Sequence, residues 1–313
     1  MQIQRVLTEE TVTRFLVAEQ FKMVSSVRTD EYSVLHEAAA KLIVRHNGDL
    51  NLSGLKSITV QAARSIARHK NSLNLSGLTK LSTEHAAALA SHKGELNLSG
   101  LVRITMATAK ALSRHRGPLV LSGLKVIDRG SAEAISSVRG DLFLRGLTEM
   151  PEEVASALAN HRGIIYLGGL ETLPVNSAKA LARHKGAIGL KGLKSLSDEA
   201  ILHLAKLKHA IHLGGLTSLS DEAALAFSKH RQTIYLGGVK KLSNTAAVYL
   251  ARHKGNMHLG GLSEMTMEAA KAFAGHDGEL CLSGLNNRLA DDVMAELSKH
   301  EGMIYFNDPI ESS

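Results

Sequence analysis

Cysteine, tryptophan and proline are scarce in this chain of 313 residues, which has one Cys, no Trp and four Pro. A single Cys excludes a disulfide-stapled scaffold and any zinc site that is built from several thiolates. Aromatic residues make up only 4% of the chain, so a core must consist of aliphatic side chains, and a hydrophobic fraction of 44% is enough for one. No apolar run approaches the roughly 18 residues of a membrane-spanning helix.

The charge balance is basic, with a formal net charge of +7 and an isoelectric point near 9.4. This excess raises the question of an anionic partner without answering it. The N-terminal residues 1–6, followed by Glu9 and Glu10, do not place a basic segment before an apolar one. We therefore expect no secretory signal and no membrane association. Together with the single Cys, this favours a cytoplasmic location.

A repeat of 23 residues organises the sequence. The segment Leu50-Asn51-Leu52-Ser53-Gly54-Leu55 opens a pattern that returns at constant spacing up to Leu280, and a last copy begins one residue late at Ile304. The extra residue falls within 285–291. Apolar and polar residues alternate at the start of each copy, which predicts a short strand. The predicted strands begin at Leu50, Leu73, Leu96, Leu119, Leu142, Ile165, Ile188, Ile211, Ile234, Met257, Leu280 and Ile304.

A glycine follows two residues after the second Leu of every regular copy, from Gly54 to Gly284. Two structural reasons could require it. Either the backbone there has a positive φ, or it approaches a neighbour too closely for a Cβ atom.

The second half of each copy is typical of a helix. Thr59 stands immediately before an Ala-rich stretch, where its side chain can cap the first turn. Pro151 holds the same column, and its fixed φ suits a helix start. Acidic residues such as Glu84 fill first turns and basic ones such as residues 68–70 fill last turns, which complements the helix dipole. Gly94 and its equivalents are predicted to end the helix at the C′ position.

Neither element can bury an apolar face alone. A strand of about 4 residues and a helix of about 10 must stack on further copies to form a core. Strands pack ~4.8 Å apart and helices ~8–10 Å apart, so the strands should line the concave side. We predict an α/β fold: a curved right-handed solenoid of about twelve strand-turn-helix repeats, with a parallel sheet on the concave face and helices on the convex face.

The L-x-L strand, the 23-residue period and the helical return resemble a leucine-rich repeat over roughly residues 36–306. The resemblance is to divergent bacterial arrays, with units similar to A-x-A-L-A-x-H-K-G-x-L-x-L-x-G-L-x-x-L-S. The usual pattern has Asn or Cys three residues after the second strand Leu, where this chain has Leu55, Leu78, Leu101 and Leu124. The resemblance implies a curved scaffold used for binding, and it implies no reaction. The departure leaves the turn geometry open.

The repeat defines three parts of the chain: residues 1–35 before it, the solenoid of residues 36–306, and a C-terminal tail of residues 307–313. We predict that residues 1–35 form an N-terminal helical cap over the first open core. The alternative is a docking helix for another subunit. Pro309 discourages strand addition after the last strand. No full C-terminal cap is visible, which points to association of copies through open ends or to a piece of a longer chain.

A histidine recurs four residues before ten of the predicted strands, and Val138 and Leu207 replace it elsewhere. Because an aliphatic residue is accepted there, we interpret the column as a buried structural ladder whose ring nitrogens bond to backbone or to the next ring. A metal ladder is disfavoured, since stacked residues do not converge on one ion, and we predict no metal and no cofactor. Buried neutral histidines would also make stability sensitive to pH. The ladder is His46, His69, His92, His115, His161, His184, His230, His253, His276 and His300.

The second residue of each predicted strand should point outward on the sheet. It is Asn in the first three copies, and the column becomes rich in aromatic and imidazole rings from Phe143 on. Aromatic residues favour strands in any case, but three of the five Tyr residues lie in this column. Gly-Gly pairs such as Gly214-Gly215 leave room beside the rings. The candidate partner-binding residues are Phe143, Tyr166, His212, Tyr235, His258 and Tyr305.

Three classes of function fit these patterns. The leading one is a non-enzymatic scaffold that binds a protein or peptide on the concave face. The second is electrostatic binding of nucleic acid or an acidic protein along the basic helix ends, and the third is an architectural subunit that associates through its ends. We predict no enzymatic activity. The strongest catalytic candidate, Cys281 beside His258, lacks an oxyanion site.

Overall fold

The computed structural model of the chain describes residues 5–20, 32–285 and 289–306. The predicted tail, 307–313, lies outside the described residues, as do residues 1–4 and 21–31 of the predicted cap and residues 286–288 of the interrupted copy. The chain divides into two compact units. The first unit is Met1–Leu147 with Asn160–Tyr166, and the second unit is Thr148–Ala159 with Leu167–Ser313.

Short strands and helices alternate in both units. The first unit contains β1 (Val6–Leu7), α1 (Glu9–Gln20), β2 (Val34–Leu35), α2 (Glu37–Ile43), β3 (Leu50–Asn51), α3 (Val60–Ile66), β4 (Leu73–Asn74), α4 (Thr83–Leu89), β5 (Leu96–Asn97), α5 (Met106–Leu112), β6 (Leu119–Val120), α6 (Arg129–Ile135), β7 (Leu142–Phe143) and β8 (Ile165–Tyr166). The second unit contains α7 (Glu152–Leu158), α8 (Val175–Leu181), β9 (Ile188–Gly189), α9 (Asp198–Leu204), β10 (Ile211–His212), α10 (Asp221–Phe227), β11 (Ile234–Tyr235), α11 (Asn244–Leu250), β12 (Met257–His258), α12 (Met267–Ala274), β13 (Leu280–Cys281), a 3₁₀ turn (Ser283–Leu285), α13 (Asp291–Leu297) and β14 (Ile304–Tyr305).

The 23-residue period is also the pairing register of the sheet. Strands β3–β8 pair in parallel in chain order within the first unit, and β9–β14 do so within the second. Leu50 pairs with Leu73, and even the late copy stays in register, with Leu280 opposite Ile304. The predicted α/β repeat fold and the predicted strand starts are therefore confirmed. Each strand has two residues, shorter than expected.

The helices of the repeat are also shorter than the predicted ten residues, and most of them have seven. Each helix ends where the backbone changes to a tighter turn with i→i−3 hydrogen bonds. The N–H of Arg68 donates to the carbonyl of Ser65, and the N–H of His69 donates to that of Ile66. These i→i−3 bonds close a 3₁₀-like turn that brings the histidine next to the following strand.

The capping prediction is confirmed at the helix starts. Thr59, Ser82, Asp128 and Ser243 each accept a hydrogen bond from the backbone N–H three residues on. These bonds satisfy donors that the first turn leaves without an intrahelical partner. Pro151 takes the same position before α7, and its side chain cannot make such a bond.

Close packing of successive copies explains the two glycine columns. A Cβ on Gly77 would lie 2.1 Å from the carbonyl oxygen of Ser53 in the preceding copy, so this column is required by close approach. The prediction that Gly94 is a C′ residue is wrong. Helix α4 ends at Leu89 with Ala90 as its C-cap, four residues earlier. A Cβ on Gly94 would meet the carbonyl of Asn71 at 2.6 Å and His92 Nε2 at 3.1 Å.

The core consists of repeated aliphatic positions. Leu50, Leu52 and Leu55 are fully buried, and their equivalents up to Leu285 are buried as well, whereas Ile304 and Phe306 of the last copy are half-buried. Before the first regular copy, β1 pairs in parallel with β2, and α1 packs against α2. Leu7 and Val12 are buried in this segment, which we still propose to act as a cap. Within the described residues, no helix is both long and apolar enough to cross a membrane.

Candidate binding surface on the sheet

Within each unit, the second residues of the repeat strands β3–β14 lie on one face of the sheet, which we call the sheet face. In β3–β8 and in β10–β12, the first residue of the strand is buried and the second is half-buried. The flanking Leu residues point to the opposite side, because side chains alternate along a strand. The predicted outward column is therefore a partly exposed surface.

The first copies use this position for their own turns. The Oδ1 atoms of Asn51, Asn74 and Asn97 accept hydrogen bonds of 3.0–3.1 Å from the backbone N–H of the Ser two residues on. This local bond satisfies a donor where the strand ends. The Asn residues thus have a structural role here.

Phe143 and Tyr166 form a stacked pair on the sheet face of the first unit. Their ring centroids are 4.4 Å apart, and the rings are inclined by 10°. The guanidinium of Arg145 lies 5.1 Å from the Phe143 ring centroid and 5.2 Å from that of Tyr166. Burial raises the pKa of the Tyr166 hydroxyl, and the nearby Asp141 carboxylate raises it further. The cluster combines flat apolar area with one exposed cation.

The second unit carries a longer stack, which we call the ring ladder: His212, Tyr235 and His258. The centroids of His212 and Tyr235 are 3.9 Å apart with an interplanar angle of 6°, and those of Tyr235 and His258 are 4.2 Å apart with an angle of 15°. Burial lowers the pKa of His212 to about 4, helped by the charges of Lys191 and His258. His212 is therefore neutral at neutral pH, so it stacks without adding a charge.

Two glycines beside the ring ladder have no packing reason to be glycine. A Cβ on Gly214 or on Gly237 would meet nothing within 4 Å. Their chain neighbours differ sharply, because a Cβ on Gly215 would lie 2.2 Å from the Lys191 carbonyl and one on Gly238 would lie 2.5 Å from that of Gly214. The fold requires only the second glycine of each pair. The first leaves backbone open next to the rings.

Cys281 and Tyr305 occupy the same column of the sheet in β13 and β14. Cys281 follows His258 in register, but only 2% of its surface is exposed. Burial disfavours the thiolate form, which is the nucleophilic form of a cysteine. Tyr305 is half-buried in β14, and its hydroxyl donates to Met303 Sδ at 3.3 Å. Tyr305 remains a predicted partner-binding residue.

The histidine ladder is buried, as its sequence pattern indicates. In the four consecutive copies from His46 to His115, the ring centroids of neighbouring histidines lie 6.2–6.5 Å apart, and the rings are nearly parallel. Rings such as His230 and His253 donate from Nδ1 to a carbonyl of the preceding copy, at 3.2 Å in both cases. Burial lowers the pKa of His230, and it lowers that of His253 to about 4. No metal-binding cluster of His, Cys, Asp and Glu occurs within the residues described.

Sequence reasoning found the rings of the sheet face but missed the charges beside them. Arg145 and Lys191 hold the column in which early copies have Ser and neighbouring copies have Gly. Each is an exception to the Ser or Gly pattern of that column, and this exception could have identified them from the sequence. Their positions two residues after the ring column place them next to Phe143 and His212.

No protein-family model and no curated protein matches this sequence. Solved structures resemble the fold. An internalin from Listeria monocytogenes is 12% identical over 95% of both chains, with a TM-score of 0.48. A chain of the yeast Rad7–Elc1 complex is 16% identical, covering 94% of this chain and 81% of the other, with a TM-score of 0.50. A chain of the Drosophila Toll–Spatzle complex is 10% identical, covering 96% of this chain and 46% of the other, with a TM-score of 0.52. All three are leucine-rich-repeat proteins.

The class that fold and repeat define is an α/β solenoid with leucine-rich-repeat-like units. Within this class the chain has a 23-residue unit with a buried histidine column, and none of the Asn residues that the structure describes is buried. At these identities the likeness extends to the fold alone.

Proposed function

We propose that this chain is a non-enzymatic scaffold that binds a protein or peptide on its sheet face. Two of the similar structures are protein complexes, Rad7 with Elc1 and Toll with Spatzle. A protein partner suits a fold of this class, but the residues that would bind it must be argued from this chain itself.

The single observation that carries the proposal is the open backbone beside the ring ladder. Gly214 and Gly237 lack side chains at positions where the fold would accept them. A partner chain could lie against this backbone and contact the edges of His212, Tyr235 and His258. Because the rings are already stacked, little side-chain entropy is lost on binding.

The chemistry of the ring ladder favours apolar and aromatic partner side chains. His212 is neutral, and burial keeps the Tyr235 hydroxyl protonated by raising its pKa. Half-buried aromatic residues of this kind are common energetic anchors of interfaces. Phe143, Tyr166 and Arg145 form a second candidate contact in the first unit, suited to an aromatic or acidic side chain. The proposal contains no reaction step.

Selection of peptides from a displayed random library on the whole chain would test this function. Each selected peptide is then titrated against three proteins: the wild type, the double variant Tyr166→Ala with Tyr235→Ala, and the control Tyr249→Ala. Tyr249 lies in α11, away from the sheet face. We expect the double variant to lose about thirtyfold or more in affinity, the effect of removing one interface hot spot. Equal affinity of all three proteins would disprove the assigned surface.

A further inference from the structure

A row of cations in the second unit is distinct from the sheet face. In four successive copies, two basic residues flank the ladder position between the end of a helix and the next strand. All eight are exposed. This row, which we call the second-unit rim, consists of Arg183, Lys185, Lys206, Lys208, Lys229, Arg231, Arg252 and Lys254.

The histidine ladder sets the spacing of this rim. The ring centroids of His230 and His253 are 5.9 Å apart, and those of His253 and His276 are 6.2 Å apart. These two distances show that successive copies are about 6 Å apart along the rim. Because each copy contributes two basic residues, the rim carries one positive charge per about 3 Å. A nucleic acid strand likewise carries one negative charge per nucleotide at regular intervals along its length. The row of cations can therefore contact successive phosphates of such a strand.

Carboxylates do not interrupt the rim. Between residues 183 and 256 the acidic residues are Asp198, Glu199, Asp221 and Glu222, all in the first turns of α9 and α10. Those first turns lie about 10 Å away, at the other end of each seven-residue helix. The row ends where Lys254 forms an ion pair with Asp277.

The equivalent edge of the first unit is partly neutralised. Asp49, Glu95 and Asp141 directly precede β3, β5 and β7. Asp49 accepts a hydrogen bond from the backbone N–H of Ser72, and Asp141 accepts one from that of Ile164, so both carboxylates are held in place. The first unit therefore offers a matched comparison, with the same backbone and a weaker field.

We propose that the second-unit rim binds the phosphate backbone of a single nucleic acid strand. The row is one cation pair wide, which suits one strand rather than two. An aromatic platform lies beside it: the Arg252 guanidinium sits 5.4 Å from the ring centroid of Tyr249. A base could stack on the guanidinium plane of Arg252 while neighbouring phosphates contact Lys208 and Arg231. This site is separate from the ring ladder, and it can fail without affecting the sheet-face proposal.

Fluorescence anisotropy with labelled dT20 and the whole chain tests this site. If four phosphates are neutralised, affinity should fall about fiftyfold between 50 and 200 mM salt. At 50 mM salt we expect Lys208→Glu with Arg231→Glu to lose at least tenfold. The matched pair Lys93→Glu with Arg116→Glu, at the same positions of the first unit, should lose less than threefold. All four side chains are exposed, so the variants should fold, and circular dichroism of each variant is the control for this.

Three results would overturn the proposal. The first is no binding of dT20 at 50 mM salt. The second is an equal loss in both double variants, which would mean that net charge alone is responsible. The third is competition by poly-glutamate as strong, charge for charge, as that by unlabelled dT20, which would assign the rim to acidic protein instead. Binding of dT20 by Tyr235→Ala should equal that of the wild type.

Discussion

The sheet face differs between the first copies of the repeat and the middle copies of the second unit, although the backbone of the two regions does not. Strands β3–β5 carry Asn at their second position and β10–β12 carry His, Tyr and His, yet both sets are two residues long and pair in the same parallel register. Each Asn side chain is bound to its own turn, whereas the rings contact one another. The fold accepts either solution, so this position is one at which copies can specialise.

The Leu, Gly and His columns show the opposite behaviour, because packing dictates them. Leu52 and Leu213 are both fully buried, and a Cβ added to Gly77 or to Gly215 would lie only 2.1–2.2 Å from a carbonyl oxygen of the preceding copy. A residue repeated through both units therefore reports on the fold. A residue that changes between copies, as in the ring ladder, is one on which packing places no such demand, and it is where we propose that the partner binds.

The largest expected effect is a difference in stability between Ala substitutions at two adjacent glycines. Gly238→Ala should destabilise the protein by about 3 kcal/mol or more, because the new Cβ would lie 2.5 Å from two carbonyl oxygens. Gly237→Ala should change the free energy of unfolding by less than about 1 kcal/mol. Urea denaturation of both variants measures the difference. Equal destabilisation would show that Gly237 is also required by packing.

Acid should destabilise the chain through the histidine ladder. An unfolded histidine binds its proton near pH 6.5, and burial lowers the pKa of His253 in the folded chain to about 4. Stability is therefore unaffected above about pH 6.5 and falls as the pH drops towards 4, by up to about 1.4 kcal/mol per pH unit for each such histidine. Burial also lowers the pKa of His230 and of His276, which stack on either side of His253, so both contribute to the loss of stability in acid.

His253→Leu sharpens this prediction, because Leu207 already occupies the same position in another copy. We expect the variant to lose stability less steeply than the wild type between pH 6 and 4.5. Urea denaturation across this range gives the two slopes, and measurement at pH 8 separates any packing loss. Identical slopes would contradict the assignment of acid sensitivity to the ladder.

A smaller effect is expected at the Asn positions. Asn74→Ala removes the 3.0 Å bond to the backbone N–H of Ser76 and should cost about 1 kcal/mol. It should leave peptide affinity unchanged. Thermal denaturation and titration of a selected peptide check both parts. A loss of affinity without a loss of stability would place the Asn column in the binding surface as well.

Much of the fold could be predicted because the repeat is strict. A constant period of 23 residues places equivalent residues side by side, so strand starts, caps such as Ser243 and the burial of His184 followed from counting. Helix length did not follow. The turn after Ile66 depends on i→i−3 bonds that the composition does not reveal.

The candidate surface was predictable only in part. The alignment of Tyr235 with His212 and His258 follows from the period, but their stacking and the depressed pKa of His212 depend on burial. The Gly-Gly pairs were visible in the sequence. The glycine column of the repeat already marked Gly215 as the required one, but whether a positive φ or a close approach requires it depended on distances between copies.

The most direct test of sheet-face binding uses Gly214→Leu and Gly237→Leu, which place side chains in the open space beside the ring ladder. Titration with a selected peptide and urea denaturation are performed on each variant and on the wild type. We expect affinity to fall at least tenfold while the free energy of unfolding changes by less than about 1 kcal/mol. Unchanged affinity in both folded variants would contradict the claim that a partner chain lies against this backbone.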